Sequence, residues 1–438
     1  MKTTLLALVL IIWSSMSIGQ NKIQFENYEL KNGLRVILHE DKSTPIVAVT
    51  VSYKVGSKDE HPERTGFAHF FEHLLFEGSE NIGRGEYMKL VKNNGGVLNA
   101  NTNYDRTFYF EILPSNQLEL GLWMESERML HAKIEDIGIE TQREVVKEER
   151  RQRFDNTPYG SLLDETMKRT FQMHPYSRGV IGSMDHLNAA QREEFMEFYK
   201  TYYVPENAIL SIAGDIDAKQ TKAWIEKYFG SIPRGGRTIP RNTIKEPAQT
   251  AEVRDTVYDN IQLPAVIHNF KVPARGSNEF YAVDMLAKLL SQGQSSRFQK
   301  SIVNEQQKGL FVGAYPIALE DHSVALMFGI VNMGVTPQEL ENAMIAEYDR
   351  VKNELISEQE YQKLLNQIEN SFVSSNASVQ GIAESLSDYW MWYGDPNLIN
   401  TEIDKYRKVT REDIQNAAKK YLVESNRVVL YYLPKSAQ

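Results

Sequence analysis

Between Phe67 and Phe76 the chain reads Phe-Ala-His-Phe-Phe-Glu-His-Leu-Leu-Phe. Wound into a helix, the run places His69, Glu72 and His73 at i, i+3 and i+4, on one face. Every other position is apolar, so the helix is apolar nearly all round with one narrow polar stripe. Two imidazoles one turn apart can both reach one zinc ion, and a carboxylate between them can reach a water on it. This is an H-x-x-E-H arrangement, the reverse order of the H-E-x-x-H zinc helix. The plain alternative is a helix whose solvent face happens to carry two histidines and a glutamate.

A chain of 438 residues is long enough for two domains and a sizeable core. Its hydrophobic share of 42% and charged share of 24% are those of an ordinary globular protein. The net charge of −9 excludes the concentrated basic surface that nucleic-acid binding needs. Residues 1–19 read as a signal peptide: Lys2 is the positive start, Leu5 to Trp13 a short apolar core, and Ser17 and Gly19 fit the cleavage site. That core is shorter than the roughly 20 residues a bilayer span requires. The expectation is an exported protein, periplasmic if bacterial, with no membrane contact beyond the signal. There is no cysteine, so disulfides cannot hold the fold and any zinc must take His, Asp or Glu ligands.

Hydrophobic periodicity divides the rest into strands and helices. Asn32-Gly33 between apolar alternations predicts a hairpin, and Val47 to Val55, Val97 onward, Thr107 to Leu113 and Ala208 to Ala213 predict strands. Helices are expected at Gly85 to Asn93, Leu118 to His131, Thr141 to Arg153 and Glu193 to Tyr202. Residues 231–260 are broken by Pro233, Gly235, Gly236, Pro240 and Pro247 and read as a boundary. The division is 20–234 for a zinc-bearing domain, 235–262 for a linker and leading strand, and 263–438 for a related domain without metal. Relatedness rests on Tyr203 to Leu210 matching Leu422 to Val429, and on Glu72-His73-Leu74-Leu75 matching Ala287-Lys288-Leu289-Leu290. Asp284, Ala287 and Lys288 then stand where the first half has His69, Glu72 and His73.

A catalytic zinc needs three protein ligands and one open position. Among 58 acidic residues, helical position narrows the third ligand. Glu149 follows Val145 and Val146 by four and three, which puts it on the apolar face, whereas Glu148 lies nearer the edge. An inward carboxylate is costly unless paired or metal-bound. A charged surface helix remains the other reading of Glu149 at this point.

The run Gly66 to Ser79, the run Gly95-Gly96-Val97-Leu98-Asn99-Ala100 to Thr107, and Arg143 to Arg150 occur in that order. Together they resemble the active-site helix, substrate-binding edge strand and third-ligand helix of the pitrilysin/insulinase family of zinc peptidases, most closely its processing-peptidase branch. The resemblance covers most of the mature chain. It implies an α+β fold of two structurally related domains, each a mostly antiparallel sheet flanked by helices, together forming half of a clamshell. It implies one zinc per chain on His69, His73 and Glu149, with Glu72 as general base. Asn99 and Ala100 would offer backbone groups to an extended peptide that joins the sheet.

Two positions depart from the family. A second glutamate usual seven residues before the third ligand is Gln142 here, a neutral group on the same helix face as Glu149. Members that act alone carry an Arg and a Tyr, seven apart, in the C-terminal half. Aligned on Gly309-Leu310, those positions hold Glu305 and Val312, with Arg297 and Tyr315 nearby. The mismatch implies the zinc-bearing subunit of a heterodimer whose homologous partner supplies the Arg and Tyr. The alternatives are a self-sufficient monomeric or homodimeric peptidase and a non-catalytic zinc-binding scaffold subunit.

Overall fold

A computed structural model describes residues 22–437, and the apolar leader lies outside the described residues. The first sheet contains β1 (Glu26–Glu29), β2 (Arg35–Glu40), β3 (Ile46–Tyr53), β4 (Val97–Thr102), β5 (Thr107–Pro114) and β6 (Ala208–Gly214), in the order β1-β2-β6-β3-β5-β4. The second contains β7 (Val253–Asp259), β8 (Ala265–Val272), β9 (Gly309–Ile317), β10 (Ser323–Val331) and β11 (Arg427–Pro434), in the order β7-β11-β8-β10-β9. Each sheet has one parallel pair, β2 with β6 and β7 with β11, and is otherwise antiparallel. The class is α+β with two mixed sheets flanked by helices.

The two sheets repeat one topology. β6 and β11 hold the same place in each, and these are the strands the 219-residue offset between Ala208 and Arg427 aligns. The β1–β2 hairpin turns where Asn-Gly predicts it, with Gly33 at φ +91° and Glu29 opposite Arg35. In the second half, Lys288 Nζ bonds Asp284 Oδ1, and Tyr406 donates to Asp284 Oδ2 at 2.8 Å. The places that align with the two histidines therefore hold an ion pair that satisfies itself.

Helices cross between the halves in both directions. The Val379–Tyr393 helix, late in sequence, lays Val379, Ile382, Ala383 and Leu386 against Ile37, Ala48, Ile209 and Ala213 of the first sheet. Ser387 meets Ser52 there at 2.7 Å. In return the Leu162–Thr170 helix sets Leu162 and Leu163 against Ile267, Leu326 and Leu430 of the second sheet, and Thr170 accepts from Asn269 at 2.7 Å. A cut in the 230–252 segment separates the strands but not the helices. Each half buries a core of its own on one face of its sheet, and the apolar residues on the other face are covered by a helix from the other half.

Candidate metal centre

The Phe67–Leu74 helix is fixed at both ends before any ligand is considered. Its N-cap, Gly66, has φ +92°, and a Cβ there would lie 2.6 Å from the Ile181 carbonyl oxygen, so only glycine fits. The buried Glu60 carboxylate accepts from Gly66 N and Ala68 N, both at 2.8 Å, and satisfies two donors at the helix start. Burial pushes Glu60 up to about 8, against the pull of those two N–H groups. Glu60 escaped the sequence reading because it lies outside the spacing of a capping box. Glu60→Ala is expected to lower stability by about 1–3 kcal/mol through the stranded donors. Urea unfolding measures this, and an unchanged midpoint contradicts the capping role.

Aromatic packing turns the helix inward. Phe67 and Phe70 each lie 4.6 Å from the Phe195 ring, and Phe71 lies 5.1 Å from Tyr203. His69 and His73 are left on one side with ring centroids 4.9 Å apart. The Asp136–Arg150 helix delivers Glu149 to them. Its inward face is set by Ile139, Arg143 and Val146, whereas Val145 is 43% exposed, so only the i−3 half of the Glu149 argument describes the packing.

Glu149 Oε2 lies 3.2 Å from His73 Nε2 and 3.6 Å from His69 Nε2. Two ligands on a tetrahedral zinc, each about 2.0–2.1 Å from the ion, stand about 3.3 Å apart. The donor set is nitrogen and oxygen only and already has that spacing, so these residues fit the ion. It is also the only such cluster found among the described residues. The buried His69 Nδ1 has no hydrogen-bond partner, so the ring's polar contact is on its Nε2 side. Arg153 Nη1 holds the other oxygen, Glu149 Oε1, at 2.7 Å and leaves Oε2 to the imidazoles. The i,i+4 Glu–Arg spacing could have marked Arg153 in the sequence.

Burial, and then the neighbouring His73, pushes His69 down to about 4. The bond from His73 holds Glu149 below the usual carboxylate range. A neutral imidazole beside an ionised carboxylate is the protonation that metal binding requires. Glu72 is outside the three-ligand cluster. Burial raises its carboxyl, opposed by the Thr102 hydroxyl at the end of β4 and by His73.

The structure places the other predicted residues as follows. β4 is the outer strand of its sheet, with Asn99 opposite Phe110 and Ala100 opposite Tyr109 on the inner side. Asn99 Oδ1 holds the Ala100 N–H at 2.9 Å. Gln142 donates to Glu77, just beyond the motif helix, and not to the ligands. Glu305 is exposed, Val312 is buried in the second core, Arg297 pairs with Glu360 at 3.1 Å, and Tyr315 is 48% exposed.

Comparison with known proteins agrees with this geometry. The family model "Insulinase (Peptidase family M16)" matches residues 35–183, and "Peptidase M16 inactive domain" matches residues 189–368. The chain is 30% identical to the "Zinc protease PqqE" of Helicobacter pylori over 98% of this chain and 97% of that protein. The crystal structure of a protease from Helicobacter pylori superposes with a TM-score of 0.90 at 30% identity, covering 94% of this chain and all of that one (100%). A putative M16-like peptidase from Alicyclobacillus acidocaldarius shares the fold, with a TM-score of 0.83 at 20% identity over 94% of this chain and 99% of that one. Fold and site thus define a metallopeptidase built from two related α+β domains. The chain belongs to the M16 (insulinase/pitrilysin) peptidase family and is a zinc protease of that family.

Proposed function

We propose that this zinc protease is an endopeptidase that hydrolyses short or unfolded peptides, with one zinc per chain on His69, His73 and Glu149. The observation that carries the reading is the convergence of those three ligand atoms within 4.8 Å of one another, with Glu72 on the same helix as the two histidines and outside the cluster. When bound, zinc supplies a Lewis acid for the scissile carbonyl and a water of lowered pKa. Glu72 takes the proton of the attacking water on its carboxylate and passes it to the leaving amine, so no covalent intermediate forms. Asn99 and Ala100 hold the peptide main chain along the free edge of β4, and the Ala100 N–H exchanges its bond to Asn99 for one to the substrate. Recognition of main chain suits unfolded peptides of mixed sequence.

The chain is the zinc-bearing half of a heterodimer in this proposal. Supporting it, Val312 is turned into the core and Glu305 carries the wrong charge for an oxyanion donor. A homologous partner then closes the clamshell and supplies the Arg and Tyr. The domain division stays at 20–234 and 263–438, joined by 235–262. The Lys2 and Leu5–Trp13 leader favours export, to the periplasm in a bacterium.

Metal analysis and peptide hydrolysis on the purified chain, with and without the product of a neighbouring homologous gene, test both levels. The expected result is one zinc per chain and a rate that rises about a hundredfold or more with the partner, the typical worth of an oxyanion donor. Full activity of the chain alone refutes the heterodimer, and absence of zinc refutes the site.

A further inference from the structure

We propose that Arg128 is a positioning residue for the peptidase reaction, holding the last turn of the motif helix so that Glu72 and His73 keep their register against Glu149 and β4. The proposal rests on the zinc-peptidase reading of that helix. Arg128 lies on the Leu118–Leu130 helix and is 0% exposed. Its Nη1 donates to the Leu75 carbonyl at 3.1 Å, Nε to Glu125 Oε1 at 3.0 Å, and Nη2 to Glu111 Oε1 at 3.3 Å. The guanidinium carbon lies 4.3, 4.6 and 4.9 Å from the ring centres of Tyr109, Phe76 and Tyr87. Tyr109 also donates its hydroxyl to the Phe71 carbonyl at 3.0 Å.

Leu75 and Phe71 are one helical turn apart and bracket Glu72 and His73 in sequence. One cation and one hydroxyl, delivered by β5 and the Leu118–Leu130 helix, therefore grip the carbonyl end of the turn that carries the base and a ligand. The motif helix has eight residues, too few to be stable on its own. Glu60 sets its start, and Arg128 sets its end, where a cation is favoured. The far side of Arg128 is anchored too, because Tyr199 donates to the carbonyls of Arg128 at 3.0 Å and Met129 at 2.7 Å.

A buried ion cluster is a poor way to gain stability alone, since well-packed apolar residues often do as well. What an apolar residue cannot do is bind the Leu75 carbonyl while spanning two carboxyl groups with a planar fork. Burial and the neighbouring Glu125 raise Glu111 well above the carboxylate range.

The test uses the full zinc-loaded chain and three variants. The triple variant Arg128→Met, Glu111→Gln, Glu125→Gln removes the whole charge cluster and keeps volume. Its melting temperature should stay within a few degrees of the parent. Its kcat should fall about tenfold or more, as small misplacements of reacting groups do, with KM within about twofold because no residue of β4 is substituted and Glu111→Gln keeps the backbone pairing of β5 with β4. Zinc release to a chelator should quicken. Tyr109→Phe removes the hydroxyl that bonds the Phe71 carbonyl and should lower kcat severalfold with the melting temperature within a few degrees of the parent. A triple variant that folds with parental kcat and zinc release overturns the proposal. Should the triple variant fail to fold, Tyr109→Phe decides, and parental kcat in it overturns the proposal. Glu72→Gln assayed in parallel separates the two readings. If it is inactive while the Arg128 and Tyr109 variants are normal, positioning alone fails; if it is fully active, Glu72 is not the base and the reading of the motif helix on which the proposal rests fails.

Discussion

Glu72→Gln should keep its zinc and lose peptide hydrolysis by about a hundredfold to ten-thousandfold, the usual contribution of a positioned acid–base group. The two outcomes separate because Glu72 is on the ligand face without being one of the three clustered ligands. The amide fills the same volume, so packing around Phe71 and Tyr203 and the spacing of His69, His73 and Glu149 are undisturbed. What it cannot do is accept a proton from water. Burial raises the Glu72 carboxyl, the direction that makes it a stronger base. Zinc content by elemental analysis and steady-state cleavage of an unfolded peptide are the measurements. Unchanged cleavage removes Glu72 from the chemistry; loss of zinc along with activity would make it a support of the site instead.

The second large effect is on metal affinity. Glu149→Gln should weaken zinc binding by more than about a hundredfold, since loss of a group that merely supports a ligand already costs 10–100-fold. Glu149 is the only anion of the three, and its Oε2 is within 3.6 Å of both Nε2 atoms. The glutamine leaves two neutral imidazoles, and Arg153 loses the carboxylate it pairs with at 2.7 Å. Two ligands remain where a catalytic zinc uses three. Competition with a chromogenic chelator reads the change. Wild-type affinity in Glu149→Gln would show that the third ligand is another residue.

Much of the candidate site was legible because its signals are local. Three groups at i, i+3 and i+4 declare a shared face whatever surrounds them, and the strand alternations at Val47 to Val55 and Thr107 to Leu113 reappear as β3 and β5. Glu149 was legible through its offset from Val146, although Val145 proved exposed. The groups that hold the motif helix were not legible. Glu60 reaches it through a loop, and Arg128 reaches Leu75 from 53 residues away. Tertiary contacts of that range leave no periodicity. The crossed helices were hidden for a related reason: an amphipathic pattern reports that a face is buried, not against which sheet. Gln142 shared the expected helix face, yet Glu77 captures it.

Zinc anomalous diffraction from crystals of the purified chain locates the ion and its ligands. One peak per chain is expected, within bonding distance of His69 Nε2, His73 Nε2 and a Glu149 oxygen, with Glu72 facing a water rather than the ion. A peak elsewhere, or zinc bonded to Glu72 with Glu149 turned away, would contradict the three-ligand site.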